Sequence, residues 1–210
     1  MIRQPEQKTD SSLTKTARVV SHITNPITFS VLVLLLISFT KTKDALTLTG
    51  WWVEILVFLV IFPLSYLLAR TIIKKESLNL PYGILSFLKQ HPRDVVVMSL
   101  VFGTPCLVVL MLFGAPAEMN CTLAALLVTA VIIASVYRVY RVSYHVAAMV
   151  ILVVMIVINW GGVFIWSAVL IPAAGWAKYR LHEHSPAQMV IAALLSSAIV
   201  SITLWATGLF

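Results

Sequence analysis

Long apolar runs separated by short polar clusters dominate this chain, and that pattern leaves few folds open. Seven runs stand out: residues 27–39 (reaching back toward Val20), 51–69, 95–113, 122–136, 144–158, 163–176, and from Ala187 to the C-terminus. A hydrocarbon core of about 30 Å takes roughly 20 apolar residues per helical crossing. The runs are continuous rather than alternating, which excludes a closed barrel and leaves helices. Of the 210 residues, 60% are hydrophobic and 11% charged, against about 25% charged in a soluble domain. The expected fold is all-α: a polytopic transmembrane bundle of six to seven helices.

Residues 1–25 are polar and read as a short mobile arm preceding an uncleaved first anchor, because no small-residue cleavage site follows the first run. Residues 26–210 then form one transmembrane domain with no room for a sizeable soluble one. The fifth and sixth runs are short for a crossing. Asn159-Trp160-Gly161-Gly162 between them is good turn sequence, so two short crossings are expected rather than one re-entrant hairpin. Pro63, Pro105 and Pro172 interrupt apolar runs and are expected to kink helices. Cys106 and Cys121 lack metal-ligand spacing and read as small apolar fillers. Glu54 lies shallow in the second run, where a functional carboxylate and one snorkelling to water are both open readings.

Seven crossings distribute the basic residues unevenly. One side holds Arg3, Lys8, Lys15, Arg18, Arg70, Lys74, Lys75, Lys89, Arg93, Arg138, Arg141, Lys178 and Arg180; the other holds Lys41 and Lys43. Basic loops stay in the cytoplasm, so the first side is assigned there. The net charge of +7 therefore reports orientation and anionic lipid contact. Nucleic acid is excluded as a partner, since no basic helix or soluble module is present to carry it.

The same topology brings three polar clusters to one side. They are His91-Pro92-Arg93-Asp94, the stretch from Tyr137 to His145, and the stretch from Trp176 to Gln188. Two sit at helix starts. Ser143 is a candidate N-cap for the fifth run, and Ser185-Pro186-Ala187-Gln188 has the form of a capping box with Pro at the first helical position. A helix start presents unpaired N–H groups and partial positive charge, which suits phosphate. His145 and His184 stand at the two starts, each near a cation, and supply a nucleophile and a proton donor. Taken singly, these residues are ordinary caps and interfacial anchors. Their coincidence on one side is what points to chemistry.

These residues resemble the type 2 phosphatidic acid phosphatase and haloperoxidase superfamily, over about residues 90–200. The family motifs are Lys-x6-Arg-Pro, Pro-Ser-Gly-His and Ser-Arg-x5-His-x3-Asp. The third lies over Ala177-Lys178, five residues, His184, three residues, Gln188. The second lies over Val142-Ser143-Tyr144-His145, keeping Ser and His. The first is not recognisable, and Arg93 and Arg141 are the best candidates for its cations. The resemblance implies a phosphatidic acid phosphatase type 2 / haloperoxidase fold and a metal-independent, cofactor-free lipid phosphatase. Its substrate would be a lipid phosphate or polyprenyl (di)phosphate. His184 would attack phosphorus to give a phosphohistidine, and His145 would protonate the leaving oxygen. Lys178, Ser143, Arg141, Arg180 and Arg93 would hold the phosphate oxygens.

The chain departs from the motif at two positions. Gln188 stands where the family has Asp, so it can orient the His184 ring but cannot support its charge. Loss of the comparable charge in a serine protease triad costs about 10⁴ in rate. Lys178 in place of Arg loses the bidentate fork. Two other readings therefore stay open. One is a weak or inactive relative that binds anionic lipid or a partner subunit. The other is a small transporter, which is poorly served by crossings that carry almost no charge.

Overall fold

The computed structural model describes residues 12–74, 91–137 and 139–209, and every regular element among them is helical. The first eleven residues of the polar arm, Lys75, Lys89 and Arg138 lie outside the described residues. In chain order the helices are α1 (Ser12–Ile23), α2 (Pro26–Lys41), α3 (Ala45–Leu56), α4 (Phe62–Lys74), α5 (Pro92–Met98) and α6 (Thr104–Leu112). They continue with α7 (Ala117–Val136), α8 (Tyr144–Trp160), α9 (Leu170–Arg180) and α10 (Pro186–Ala206). Four helical stretches are long and apolar enough to cross a membrane: Ala45–Ile73, Pro92–Leu112, Ala117–Val136 and Pro186–Ala206. The bent pair α1 and α2 would make a fifth. The molecule is thus an all-helical bundle with the make-up of a membrane protein.

The bundle is organised around α8. Every residue from His145 to Val153 is buried, and α2, α7, α9 and α10 all pack against this helix. A helix apolar on all sides suits the centre of such an assembly or contact with hydrocarbon. The outward faces of the other helical stretches carry exposed Leu32, Leu36, Val101, Val108, Leu194 and Ile202, the surface a hydrocarbon solvent requires.

Local sequence sets the element boundaries. The first apolar run does not extend back to Val20 in one straight helix. Pro26 has no N–H to continue the ladder, and Asn25 caps α2 by accepting from the Ile27 N–H at 3.0 Å. The chain bends there by 43°. Residues 12–23, expected as part of a mobile arm, form the amphipathic helix α1, which buries Ala17 and packs on α9. Asp44 caps α3 through the Thr47 N–H at 2.8 Å. The Thr47 bonds hold the Asp44 carboxyl below its usual range. Gly161 takes φ +87 between α8 and a 3-10 stretch at Gly162–Val169, the turn expected from the two glycines.

The expected proline kinks take another form. A π-helical turn, Val57–Ile61, joins α3 to α4, and another, Ser99–Gly103, joins α5 to α6. In each case the residue just before proline donates its N–H five residues back, Phe62 to Val57 and Thr104 to Ser99. Widening the helix by one residue relieves the missing donor and the ring clash without breaking the span. Pro172 falls in the first turn of α9, where no N–H partner is needed. The two π turns face each other, with Phe62 and Phe102 rings 6.0 Å apart.

Gly103 closes the second π turn against α7. A Cβ built there would stand 2.2 Å from Leu127 Cδ2, so the glycine sets how closely α5–α6 approaches α7. Gly103→Leu is expected to destabilise the bundle by about 1–3 kcal/mol, read as a lower midpoint in detergent thermal unfolding. An unchanged midpoint would show that this approach is not tight.

Candidate functional site

Because successive helices run in opposite directions, the starts of α5, α8 and α10 lie at one end of the bundle with the ends of α4, α7 and α9. Packing bears this out. Ile133 on α7, Val142, Val146 and Ala147 at the start of α8, and Ala192 on α10 form one buried cluster, joined by Tyr137 and Met189. A Cβ on Gly175 of α9 would lie 3.4 Å from the Met189 sulfur and 4.0 Å from Val146 Cγ2. Four helices therefore meet beneath the candidate residues. The Lys41–Glu118 ion pair marks the opposite end.

The stretch from Lys178 to Gln188 is a tightly bonded turn. The Glu183 N–H donates to Lys178 O at 3.0 Å, and His182 adopts φ +55, a left-handed conformation uncommon outside glycine. That reversal leads the chain into α10. There the Gln188 N–H donates to Ser185 Oγ at 3.3 Å, and Gln188 Oε1 accepts from the Ser185 N–H at 3.0 Å. The same Oε1 lies 3.3 Å from His184 Nδ1, and a protonated Nδ1 donates to it. One glutamine oxygen thus meets both the helix cap and the imidazole ring. His184 is buried.

Lys178 is 4% exposed, and its ammonium pairs with Glu183 Oε2 at 3.2 Å. That partner was not anticipated from sequence. The Tyr137 phenol is pushed above its ordinary pKa, chiefly by burial; the Arg141 charge opposes this and the Glu183 charge adds to it. Both groups therefore lie within electrostatic reach of Tyr137, which ties exposed Arg141 to the Lys178–Glu183 pair. Tyr137 also stacks on Tyr144, ring centroids 5.9 Å apart. Arg180 is half-buried in the last turn of α9.

Ser143 occupies the N-cap position of α8, yet its hydroxyl makes no capping bond. It is fully buried and has no hydrogen-bond partner among the described residues. His145 is also buried, at 1% exposure. It lines a cavity between α2, α7 and α8, whereas packing of α8 toward α10 runs through its neighbours Val146 and Ala147. Arg93 is exposed on the first turn of α5.

A polar cluster that sequence reading missed lies beside Arg93. Arg70 on α4 and Asp94 on α5 approach to 2.6 Å, with side chains only 11% and 9% exposed. Tyr66 Oη donates to the other Asp94 oxygen at 3.2 Å. The approach is a close ion pair rather than a well-aligned hydrogen bond. Arg70 had counted only as a basic loop residue, and nothing local signals a partner 24 positions away. Elsewhere Glu54 is buried on α3 facing Cys106 and Leu110 of α6 rather than reaching for water. Both cysteines are free thiols and buried. Among the described residues, no group of three or more His, Cys, Asp and Glu could hold a metal ion.

The chain matches no family model, no curated protein and no solved structure.

Removing one member of a buried ion pair leaves an uncompensated charge, so Arg70→Met is expected to cost about 3–5 kcal/mol. Arg70→Met with Asp94→Asn is expected to recover most of that. Chemical or thermal unfolding of the two variants measures the difference. Equal losses in both would show that the pair does not staple α4 to α5.

Proposed function

We propose that this protein is a membrane-embedded, metal-independent phosphatase of lipid or polyprenyl (di)phosphates, working through a phosphohistidine at the cytoplasmic end of the bundle. The single observation that carries the reading is the constellation at the start of α10. A buried His184 has Nδ1 beside Gln188 Oε1, and Glu183, the residue before it, pairs with the buried Lys178 of α9. An imidazole oriented through one nitrogen presents the other as a nucleophile. Helix N-termini and fixed cations stabilise a phosphoryl group in flight.

In the proposed reaction, His184 Nε2 attacks phosphorus and the P–O bond to the lipid breaks. His145 gives a proton to the departing alcohol oxygen, or to the phosphate leaving group of a diphosphate. Water then attacks the phosphohistidine, with His145 taking up its proton, and releases inorganic phosphate. Lys178, Arg141, Arg180 and the Ser143 hydroxyl balance the oxygens' charge, and Arg93 serves the approach of the headgroup. Glu183 takes part as the counter-charge that holds Lys178 ready. A lipid phosphate has to displace that carboxylate to use the full lysine charge.

The purified chain is expected to release phosphate from a lipid phosphate in the presence of EDTA. His184→Ala is expected to lower the rate by at least about 10³, the scale of losing a nucleophile. Full activity in that variant would rule out the mechanism. The Lys178–Glu183 pair also favours a second reading, a relative that binds anionic lipid without turnover, because its charge is already met. Saturable lipid phosphate binding with no phosphate release would establish it.

A further inference from the structure

The cavity beside the start of α8 is built apart from the residues around His184. It encloses about 230 Å³. Residues of α2, α5, α7, α8 and the first π turn line it, and among the described residues none from α9 or α10 does. A 150 Å³ apolar cavity accommodates benzene, so this one has room for roughly nine carbons. Leu59, Val95 and Leu123 are among its hydrocarbon walls. Both α2 and α5 pack on α7, and the cavity lies between them. Ile27, on the first turn of α2, stands in its wall and is 40% exposed, so the cavity reaches the outer surface of the bundle there.

One end differs. Thr129, Tyr144 and His145 line it. Thr129 is 4% exposed and its hydroxyl has no hydrogen-bond partner among the described residues; the Tyr144 hydroxyl likewise has none. On the same helix as Thr129, Thr122 and Ser135 each donate to the carbonyl four residues back, at 2.6 and 2.8 Å. Thr129 makes no such bond. A buried hydroxyl without a partner is costly, so two of them in the wall of an apolar cavity mark where a ligand oxygen belongs. Leu123 lies six residues before Thr129, about 9 Å further along α7 and away from the basic end. The cavity therefore has a polar end near the start of α8 and a hydrocarbon end deeper in the bundle.

We propose that this cavity is a second, separate binding site, for a compact apolar carbonyl compound taken from the bilayer. The carbonyl oxygen sits toward Thr129 and Tyr144, and the hydrocarbon body toward Leu123. Nothing in this inference depends on phosphate chemistry. A plain hydrocarbon would fill the space and leave both hydroxyls unmet. A charged or strongly polar ligand would be buried against leucine and valine side chains, which is unfavourable. A carbonyl oxygen brings two lone pairs and no proton of its own, so it accepts from either hydroxyl or from both. The volume takes one ring with a short side chain, the bulk of a simple aryl ketone.

Acetophenone and α-methylstyrene test this, because they share a shape and differ in a carbonyl oxygen against a methylene group. Each is titrated into the full chain in lipid nanodiscs at matched concentration in the bilayer, and affinity is read from the rise in thermal midpoint. The ketone is expected to bind at least about tenfold more tightly, the scale of one or two buried hydrogen bonds. Thr129→Val keeps the side chain's shape and removes its hydroxyl. It is expected to cut that preference by about fivefold or more while α-methylstyrene binds as before. Should that variant not fold, Tyr144→Phe makes the same comparison. Equal affinities in the wild type would mean a gap that any hydrocarbon fills, and would overturn the proposal. So would a preference that survives removal of both hydroxyls, or no shift with either compound. Release of phosphate from a lipid, or its absence, bears on none of these outcomes.

Discussion

Burial of α8 on all sides is the constraint on which the arrangement depends. A helix with no polar face has no favourable place at a surface facing water. Once α8 is central, α2, α7, α9 and α10 must each offer it a complementary face. Ala147 and Ala148 at its start are small enough to let neighbours come close. The first turn of α8 packs closely against its neighbours and holds the buried His145. Ser143 and His145 are buried not by local preference but because the helix they begin is enclosed.

The prolines illustrate how a span tolerates a residue that breaks helices in water. Where no water replaces the lost bond, the backbone must satisfy itself. The two π turns do so with a donor reaching one residue further back, at the same offset from Pro63 and Pro105. Their mutual packing turns two local irregularities into one contact between neighbouring spans. Gly103 is part of the same solution, since the widened turn brings its backbone against Leu127.

At the basic end, charge is managed by pairing. Arg70 with Asp94 and Lys178 with Glu183 each bring a cation to low exposure beside a carboxylate. The first pair ties α4 to α5. The second lies within one turn of chain, so it can open without moving a helix. The first pair is a staple between helices and the second is not. Gln188 does two jobs with one oxygen because the capping box already fixes its rotamer.

Hydrophobic runs and turn residues alone determined the helical class, the approximate bounds of α2, α8 and α10, the Gly161 turn and the capping box at Ser185. These are local: they depend on residues within one or two turns and on the absence of water. The contact of His184 with Gln188 was expected from the motif resemblance rather than from local pattern. Tertiary structure decided the rest. It placed α8 at the centre, partnered Arg70 with Asp94 across 24 residues, drew Glu54 inward against α6, and left the Thr129 hydroxyl facing a cavity. An apolar helix records that it will be buried, but not which face meets which neighbour, because hydrocarbon and a packed leucine face look nearly alike to it.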